Sequence, residues 1–306
     1  MQQFNYKDIK GLSELTKDQQ FFIKNYLQLA QELYNSGDKT LMDLLKKQDL
    51  NLEELLKDIG NIMLKYNVKE DKMALTLVQQ RQLTAQIDKK INDIFFDEYK
   101  EENKLITRQL KDQAKDKYNI NNYLLNLGMD FTLEKISKKD LETILKHTIK
   151  GKNYSDRIWT NKNALSKKVK HKIRDFLTGQ TNLNSIEKEI KKRFEVNKMC
   201  TTRLVRNEVA RVQNAANEQF FKDNKTFEDL LYSATLDNKT CSKCAKNDGK
   251  LFNVNEDRPE LPLHVNDRCT YILIPNKDYR PSKRLDNETK ENIDYKSYKE
   301  WTKDNS

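Results

Sequence analysis

The chain contains few of the residues that interrupt helices. Its 306 residues include only 7 glycines and 4 prolines, and every proline lies at or beyond Pro259. A proline inside a helix removes a backbone hydrogen bond and clashes with the preceding turn. The absence of proline therefore leaves the first 258 residues free to be helical.

Long apolar runs are also missing. No run approaches the about 20 residues that a membrane-spanning helix needs. The first ten residues, MQQFNYKDIK, are polar and lack the apolar core of a signal peptide. The sequence therefore predicts a protein that is made and kept in a reducing cytoplasm, where cysteines favour a metal site or free thiols over disulfides.

The common catalytic motifs are absent as well. The sequence has no Gly-x-Ser-x-Gly, phosphate-binding loop or dinucleotide fingerprint. His147 and His171 stand alone on basic helices, so we interpret them as surface residues and not as acid–base groups. Cys200 is interpreted as a lone thiol. These features argue against a hydrolase.

The composition favours long helices with narrow apolar stripes. Hydrophobic residues make up 36% of the chain and charged residues 34%. That balance is not typical of a single globular domain with one large hydrophobic core. A length of 306 residues is nevertheless enough for about two domains, each with a hydrophobic core.

Helical periodicity dominates the first half. A capping box at Thr16 predicts a first helix that stops near residues 36–38, and a second amphipathic segment covers residues 41–64, with Gly60 as a candidate break. The longest periodic run, residues 71–117, would form a rod of about 70 Å at ~1.5 Å per residue. Polar residues such as Glu98 interrupt its seam too often for a two-stranded coiled coil. We therefore expect a helical hairpin or bundle.

The middle of the chain is predicted to hold shorter helices. They comprise residues 122–127 and 139–148, an apolar stripe from Leu165 to Leu177 that ends at Thr178-Gly179, a helix capped by Asn184, and a further helix from Thr201 or Thr202.

The net charge of +10 is concentrated in this middle part. Residues 135–206 contain 20 Lys and Arg against 7 Asp and Glu, a net +13, so the remainder carries −3. Such a band indicates a phosphate backbone or another acidic surface as partner, but solvated helix faces explain it equally well. The candidates for DNA contact are Lys167, Lys168, Lys170, Lys172, Arg174, Lys191, Lys192 and Arg193.

The sequence pattern changes from helical periodicity to β-strand propensity after Phe227. Residues 230–236, 250–252 and 270–274 are predicted strands, which together favour a small antiparallel sheet. The charged tail beyond Pro275 lacks a long apolar stripe, so we expect an extended arm.

Between these strands lies a cluster of metal-ligand residue types. Cys241-x2-Cys244, followed by His264 and Cys269, has the spacing of a structural zinc site. Four protein ligands would complete a tetrahedron and leave no position for a catalytic water. Buried reduced thiols or a disulfide are the alternatives.

Further polar residues surround this cluster. Arg206, Glu208, Arg211 and Asn214 form a polar group on an otherwise apolar helix, and we interpret them as a salt-bridged face or as a network that clamps the helix to the sheet. Asp237 and Asp248 are the obvious carboxylates beside the cysteines.

The ordered set of these motifs resembles the phage minor head protein family, the Mu F-like head morphogenesis proteins of tailed phages. The resemblance is carried by GKNYSDRIW (151–159), FLTGQ (176–180), RLVRNEVARVQNAAN (203–217), the D-x3-C-x2-C-x3-DGK-x-F segment and the late Pro-Leu-His and Arg-Cys. The residues that match the family motifs are Arg206, Glu208, Asn214, Asp237, Cys241, Cys244, Asp248, Gly249, His264 and Cys269. Val265 and Asp267 depart from the family pattern, where a proline and a cysteine stand, and Asp267 is a candidate oxygen ligand.

The resemblance implies a non-enzymatic virion protein of few copies, located in the capsid interior near the portal. It implies the portal protein and other capsid components as partners, and a role in head assembly and in handling or delivering packaged double-stranded DNA. We therefore predict a mainly α protein with a helical region over residues 1–150, a small α+β domain with a structural Zn²⁺ knuckle over 151–275, and a charged arm over 276–306. A nucleic-acid-binding zinc module of a mobile element is the alternative, and a nuclease or toxin-type enzyme is a weaker one.

Overall fold

The computed structural model describes residues 17–125, 135–223, 228–274, 277–278, 280 and 283–305. Its helices are α1 (Lys17–Lys65), α2 (Leu77–Leu125), α3 (Lys138–Lys146), α4 (Tyr154–Leu177), α5 (Leu183–Asp223), α6 (Ser242–Asn247) and α7 (Tyr298–Asp304). Its strands are β1 (Val68–Lys69), β2 (Lys72–Met73), β3 (Asp229–Ser233), β4 (Leu251–Asn253), β5 (Thr270–Ile274), β6 (Lys283–Leu285) and β7 (Asn292–Asp294). The predicted mainly helical fold with short antiparallel strands is confirmed. Within these ranges no helix is both long and apolar enough to cross a bilayer.

Helix α1 corrects the prediction of two separate helices. It runs without interruption through residues 36–38 and through Gly60. A glycine inside a helix costs only about 1 kcal/mol relative to alanine, and no proline is present to end the helix. The predicted capping residue Thr16 lies outside the described residues.

Helix α2 begins later and ends later than predicted. Residues 68–73 form the β1–β2 hairpin, in which Glu70 and Asp71 have positive φ. The helix then starts at a capping box, since Thr76 and Gln79 each accept the other's backbone N–H through a side-chain oxygen. Its end at Leu125 includes most of the short helix predicted at residues 122–127, of which 126–127 are not described.

Helices α4 and α5 are joined by a short turn. α4 starts at a capping box between Asn153 and Asp156 and ends, as predicted, where Gly179 takes a φ of +72°. The cap of α5 is Asn182, which accepts the Ser185 amide, and not the predicted Asn184. α5 also continues through residues 201–202, so the predicted further helix is part of the same one. No glycine or proline lies between 183 and 223 to break it.

The chain divides into two compact units. The first comprises Ser36–Gln109 and Lys146–Val205, and the second the described parts of Met1–Asn35, Leu110–Leu145 and Arg206–Ser306. The predicted division into domains over residues 1–150, 151–275 and 276–306 stays a prediction.

The first unit has an apolar core and, beside it, a buried polar network. The predicted stripe of α4 is in the core, where Val169 and Ile173 pack with residues of α1, α2 and α5. In the network, the Lys162 ammonium pairs with Glu98 at 2.7 Å and with Glu102. Gln48 Nε2 donates to Glu102 at 2.7 Å, and Asn51 Nδ2 donates to Glu98 at 2.6 Å. The polar residues that interrupt the apolar seam of α2 are thus partly explained by burial with a cation.

The second unit contains a three-stranded antiparallel sheet of order β4-β3-β5. β5 coincides with the predicted strand, whereas β3 covers only the first part of the predicted residues 230–236. In the register, Leu230 faces Phe252 on one side and Leu273 on the other. The predicted small sheet is confirmed.

The C-terminal tail is not the extended arm that we predicted. β6 and β7 pair as an antiparallel hairpin, and α7 follows with a Ser297–Glu300 capping box. Trp301 of α7 is only 1% exposed, and its indole nitrogen donates to Asp286 at 2.6 Å. A single buried tryptophan supplies much of the apolar anchor, and such an anchor leaves no periodic stripe in the sequence.

Candidate metal centre

The first pair of candidate ligands lies at the start of α6. Cys241 is the N-cap of this helix, and its Sγ accepts the backbone N–H of Cys244 at 3.5 Å. A cap and the third helical residue share one end of a helix, so both sulfurs are held beside each other. The sequence predicted the pair but not this short helix.

His264 approaches the pair from a later loop. Its Nε2 lies 3.3 Å from Cys244 Sγ, while its Nδ1 lies 3.0 Å from the Val265 carbonyl oxygen. A carbonyl can only accept, so Nδ1 carries the proton and the lone pair of a neutral ring is on Nε2. The ring is therefore oriented with its ligand atom toward the cysteine.

Asp267 organises the loop that carries the late ligands. Its Oδ2 accepts the Leu263 amide at 2.7 Å and its Oδ1 accepts the Cys269 amide at 2.9 Å. Oδ1 is also 3.9 Å from Cys244 Sγ. The side chain thus has hydrogen bonds at both oxygens and still borders the sulfurs.

The structure brings the candidate ligands together as two overlapping groups. Cys241, Cys244 and His264 have ligand atoms within 4.8 Å of one another, and so do Cys244, Asp267 and Cys269. Cys244 belongs to both groups. The four predicted ligands meet through this shared thiol, and Asp267 is an oxygen donor at the same place.

The thiols differ in their electrostatic surroundings. The hydrogen bond from the Cys244 amide lowers the pKa of Cys241. Burial raises the pKa of Cys244 to about 11 and raises that of Cys269 further. The hydrogen bond to Val265 raises the pKa of His264. Cys244 and Cys269 are deeply buried thiols with raised pKa values and are therefore poor nucleophiles, whereas Cys241 is the more reactive thiol of the cluster.

The donor set fits a soft divalent cation. Sulfur and imidazole nitrogen are the ligands that zinc prefers, and sites of this composition hold Zn²⁺ in tetrahedral geometry. Bound metal would keep the thiols deprotonated and add folding energy to a small sheet. The residues are therefore suited to a structural metal.

Tyr232 was not singled out by the sequence. This residue of β3 is fully buried, and its hydroxyl lies beside the sulfurs of Cys269 and Cys244. Burial, followed by contact with Cys269, raises the pKa of Tyr232. Alternation along a predicted strand could indicate an inward-facing tyrosine, but not which side chains it meets.

The two carboxylates beside the cysteines have structural partners. Asp248 binds the Arg284 guanidinium through both oxygens, at 2.5 and 2.9 Å, and also accepts the Ala234 amide at 2.8 Å and the Tyr298 amide at 2.6 Å. Asp237 pairs with Arg268 and accepts from Lys239 and Thr240. Gly249 takes a φ of +76° in the turn before β4.

The polar face of α5 contacts the loop that carries Cys269. Asn214 Nδ2 donates to the Cys269 carbonyl at 3.4 Å, and Asn207 Oδ1 accepts the Asn266 amide at 2.6 Å. Glu208 and Arg211 pair at 2.8 Å, and Arg211 donates to a carbonyl of α3. These contacts agree with the predicted clamp between helix and sheet, but Arg206 is exposed and outside it. The role of Asn207 had no signal in the sequence.

The predicted DNA-contact residues are exposed or half-buried, but most already have partners. Acidic partners are Asp175 for Lys172, Asp88 for Arg174, Glu187 for Lys191 and Glu189 for Arg193, and Lys170 donates to Asn92. Lys167, Lys168 and Lys192 are exposed and have no ion pair with the described residues. The cationic surface is thus smaller than the sequence suggested.

Comparison with known proteins locates the family resemblance. Residues 167–272 match the family model described as Phage Mu protein F like protein. This confirms the resemblance that the motifs predicted, and the matched segment includes the whole cysteine and histidine cluster.

A curated relative carries a different description. The chain is 27% identical over 172 residues to a protein of Enterococcus faecalis (strain ATCC 700802 / V583) named NAD(+)--arginine ADP-ribosyltransferase EFV. The match covers 51% of this chain but only 35% of that protein, so the chain spans about a third of its length. No solved structure gives a significant match.

Proposed function

Because residues 167–272 carry the Phage Mu protein F-like region, we propose that this chain is a non-enzymatic head protein of a tailed phage. In this proposal it joins the capsid interior at the portal vertex, after assembly in the host cytoplasm, and takes part in head morphogenesis and DNA delivery. The observation that carries the proposal is the overlap of the family match with a partly buried cluster of cysteine, histidine and aspartate side chains, in which Cys244 and Cys269 are buried. A cluster of that kind supports folding and not turnover.

Particle composition tests the virion role. Mass spectrometry of intact particles should detect the chain in few copies, and cross-linking should join it to the portal protein. Particles emptied of DNA would then show whether the chain leaves with the genome. Absence from purified intact particles would refute the proposal.

Within this function we assign Zn²⁺ to Cys241, Cys244, His264 and Cys269, with Asp267 as the loop organiser. Zinc analysis of the full chain, purified without chelator, should give about one equivalent. Cys244→Ser should abolish binding because this thiol belongs to both ligand groups. The matched control is Cys200→Ser on α5, which should retain the metal. Less than about a tenth of an equivalent in the unaltered chain would contradict the assignment.

Contact with packaged DNA is the narrower part of the proposal. It rests on Lys167, Lys168 and Lys192, which have no ion pair with the described residues. Three phosphate contacts give a slope of log affinity against log salt of about −3, whereas all eight basic candidates would give about −7. Replacing the three lysines by glutamine should remove the slope, while Lys191→Gln, already paired with Glu187, should change it little. Binding that does not depend on salt would exclude this contact.

An arginine-modifying activity is the competing hypothesis, because of the name of the curated relative. We propose that the shared part is the head-protein region and not a transferase. In support, Asp237 and Asp248 accept hydrogen bonds from backbone and arginine groups, which leaves them poorly placed for chemistry. Labelled NAD⁺ incubated with the full chain and an arginine-rich protein should transfer no label. Transfer that depends on active folded chain would overturn the proposal.

A further inference from the structure

Tyr232 is held rigidly at the centre of the small sheet. Its backbone N–H donates to the Lys250 carbonyl at 2.9 Å, and its carbonyl accepts the Gly249 amide at 3.0 Å. Its ring packs edge-on against Tyr271, with centroids 5.4 Å apart, and is tilted against Phe252 at 6.4 Å. The backbone hydrogen bonds and the ring contacts therefore fix the position of the hydroxyl oxygen.

The hydroxyl at the end of this ring has no hydrogen bond of regular geometry in the described part of the chain, although the sulfurs of Cys269 and Cys244 lie within its reach. The side chain is 0% exposed, so water does not replace the missing partner at the protein surface. A buried hydroxyl without a well-formed hydrogen bond destabilises the fold. Such a cost suggests that the partner exists only in another state of the site.

The neighbours of the hydroxyl are sulfur atoms of the ligand cluster. Cys269 and Cys244 lie beside it, and both are almost fully buried. A protonated thiol is a weak hydrogen-bond acceptor, whereas a metal-bound thiolate carries negative charge and accepts a stronger, charge-assisted bond. Metal binding would therefore convert the neighbours of Tyr232 from poor acceptors to good ones.

We propose that Tyr232 is a positioning residue of the metal centre, and that its hydroxyl donates a hydrogen bond to the metal-bound Cys269 thiolate, with the Cys244 sulfur adjacent. This inference rests on the proposed zinc site. The bond neutralises part of the thiolate charge inside an apolar sheet and orients the ligand. It also satisfies the tyrosine hydroxyl only when metal is present.

Tyr232→Phe tests this with two effects of opposite sign. In the metal-bound protein the variant loses a hydrogen bond to a ligand, and such losses typically weaken metal affinity about 10- to 100-fold. In the metal-free protein the variant removes an unsatisfied hydroxyl, so its stability should be unchanged or higher. A tyrosine that merely fills space would not produce this reversal.

The experiment measures Zn²⁺ affinity of the full chain by competition with a chromophoric chelator in reducing buffer. Urea unfolding with chelator and with excess Zn²⁺ gives the two stabilities, and Co²⁺ substitution reports the sulfur-to-metal absorption. The matched control is Tyr271→Phe, whose hydroxyl donates to the Pro259 carbonyl at 2.7 Å instead. The control should leave the affinity and the Co²⁺ spectrum unchanged.

The double variant Tyr232→Phe/Cys269→Ser gives a second measurement. Tyr232→Phe should have little further effect on affinity once the accepting thiolate is gone. If the unaltered chain binds no Zn²⁺, the metal centre and this inference both fail. If it binds Zn²⁺ and Tyr232→Phe binds within twofold with an identical Co²⁺ spectrum, the inference alone is refuted.

Discussion

The buried Asp248–Arg284 pair should hold the C-terminal tail to the rest of the second unit, and Asp248→Ala is the change that tests it. The Asp248 side chain is 1% exposed and that of Arg284 is 9% exposed. Asp248 also accepts the amide of Tyr298 at the start of α7. The Asp248 carboxylate thus contacts three segments: Ala234 after strand β3, Arg284 of the β6–β7 hairpin, and Tyr298 of helix α7.

The expected cost follows from what the substitution leaves behind. Removing one partner of a buried ion pair leaves the other charge without compensation and typically costs about 3–5 kcal/mol. Here the alanine variant would leave the guanidinium of Arg284 buried and the amides of Ala234 and Tyr298 without their acceptor. A loss of this size is a large part of the about 5–15 kcal/mol by which a domain is stable.

Trp301 provides the reporter. The chain has 2 tryptophans, so Trp159→Phe, at a position that is 45% exposed, leaves Trp301 as the only emitter. In that background Asp248→Ala should shift emission to the red as Trp301 leaves its 1% exposed site. Urea unfolding should give the lost free energy, and limited proteolysis should show earlier cleavage of the tail.

The control is the exposed pair between Lys296 and Asp304, which lie 2.5 Å apart with side chains 42% and 53% exposed. Asp304→Ala should change the free energy of unfolding little because solvent screens such pairs. If Asp248→Ala costs no more than Asp304→Ala and Trp301 emission stays blue, the tail is not held by this carboxylate.

Three further predictions concern other sites. Burial raises the pKa of the Glu102 carboxyl above its ordinary 4.5, so the folded state binds the proton more tightly than the unfolded state does. The free energy of unfolding should therefore fall as the pH rises above 4.5. In urea unfolding, Glu102→Gln should flatten this dependence on pH. In metal-free protein, iodoacetamide should modify Cys241 before Cys244, because the pKa of Cys241 is lowered and that of Cys244 is about 11. Bound Zn²⁺ should protect both thiols. Faster modification of Cys244 would contradict this order. Gly179→Ala should destabilise the protein by about 1–2 kcal/mol, since φ at this residue is +72° and the new Cβ would lie 3.0 Å from a backbone oxygen. Gly60→Ala, inside helix α1, should instead stabilise the protein by about 0.5–1 kcal/mol. Equal effects of the two substitutions in thermal unfolding would refute this contrast.

The helical character of most of the chain could be predicted because periodicity is a local property, but the number of helices could not. The α4 stripe from Leu165 to Leu177 is buried and ends at Gly179 as predicted. Breaks were predicted wrongly near residue 37 and near residue 201, where packing and the absence of proline outweigh local cap signals.

The candidate site was predicted in its residue types but not in its surroundings. Cys241, Cys244 and His264 are revealed by spacing, and the structure brings them within 4.8 Å of one another. The buried Tyr232 and the Asn207 contact to the ligand loop gave no such signal. Both contacts join residues far apart in sequence, and side-chain neighbours of that kind are set by how strands and helices pack.

The sequence by itself determined a helical protein without proline in its first 258 residues, a cysteine–histidine cluster, and an order of motifs that resembles the Mu F-like family, whose model matches residues 167–272. Only the tertiary structure decided that Asp248 is a structural anchor, that the tail folds back through Trp301, and that five of the eight DNA-contact candidates already have a side-chain partner. The physical reason is that periodicity and ligand spacing act over a few residues. The partner of a buried charge or hydroxyl is chosen only when distant segments exclude water around it.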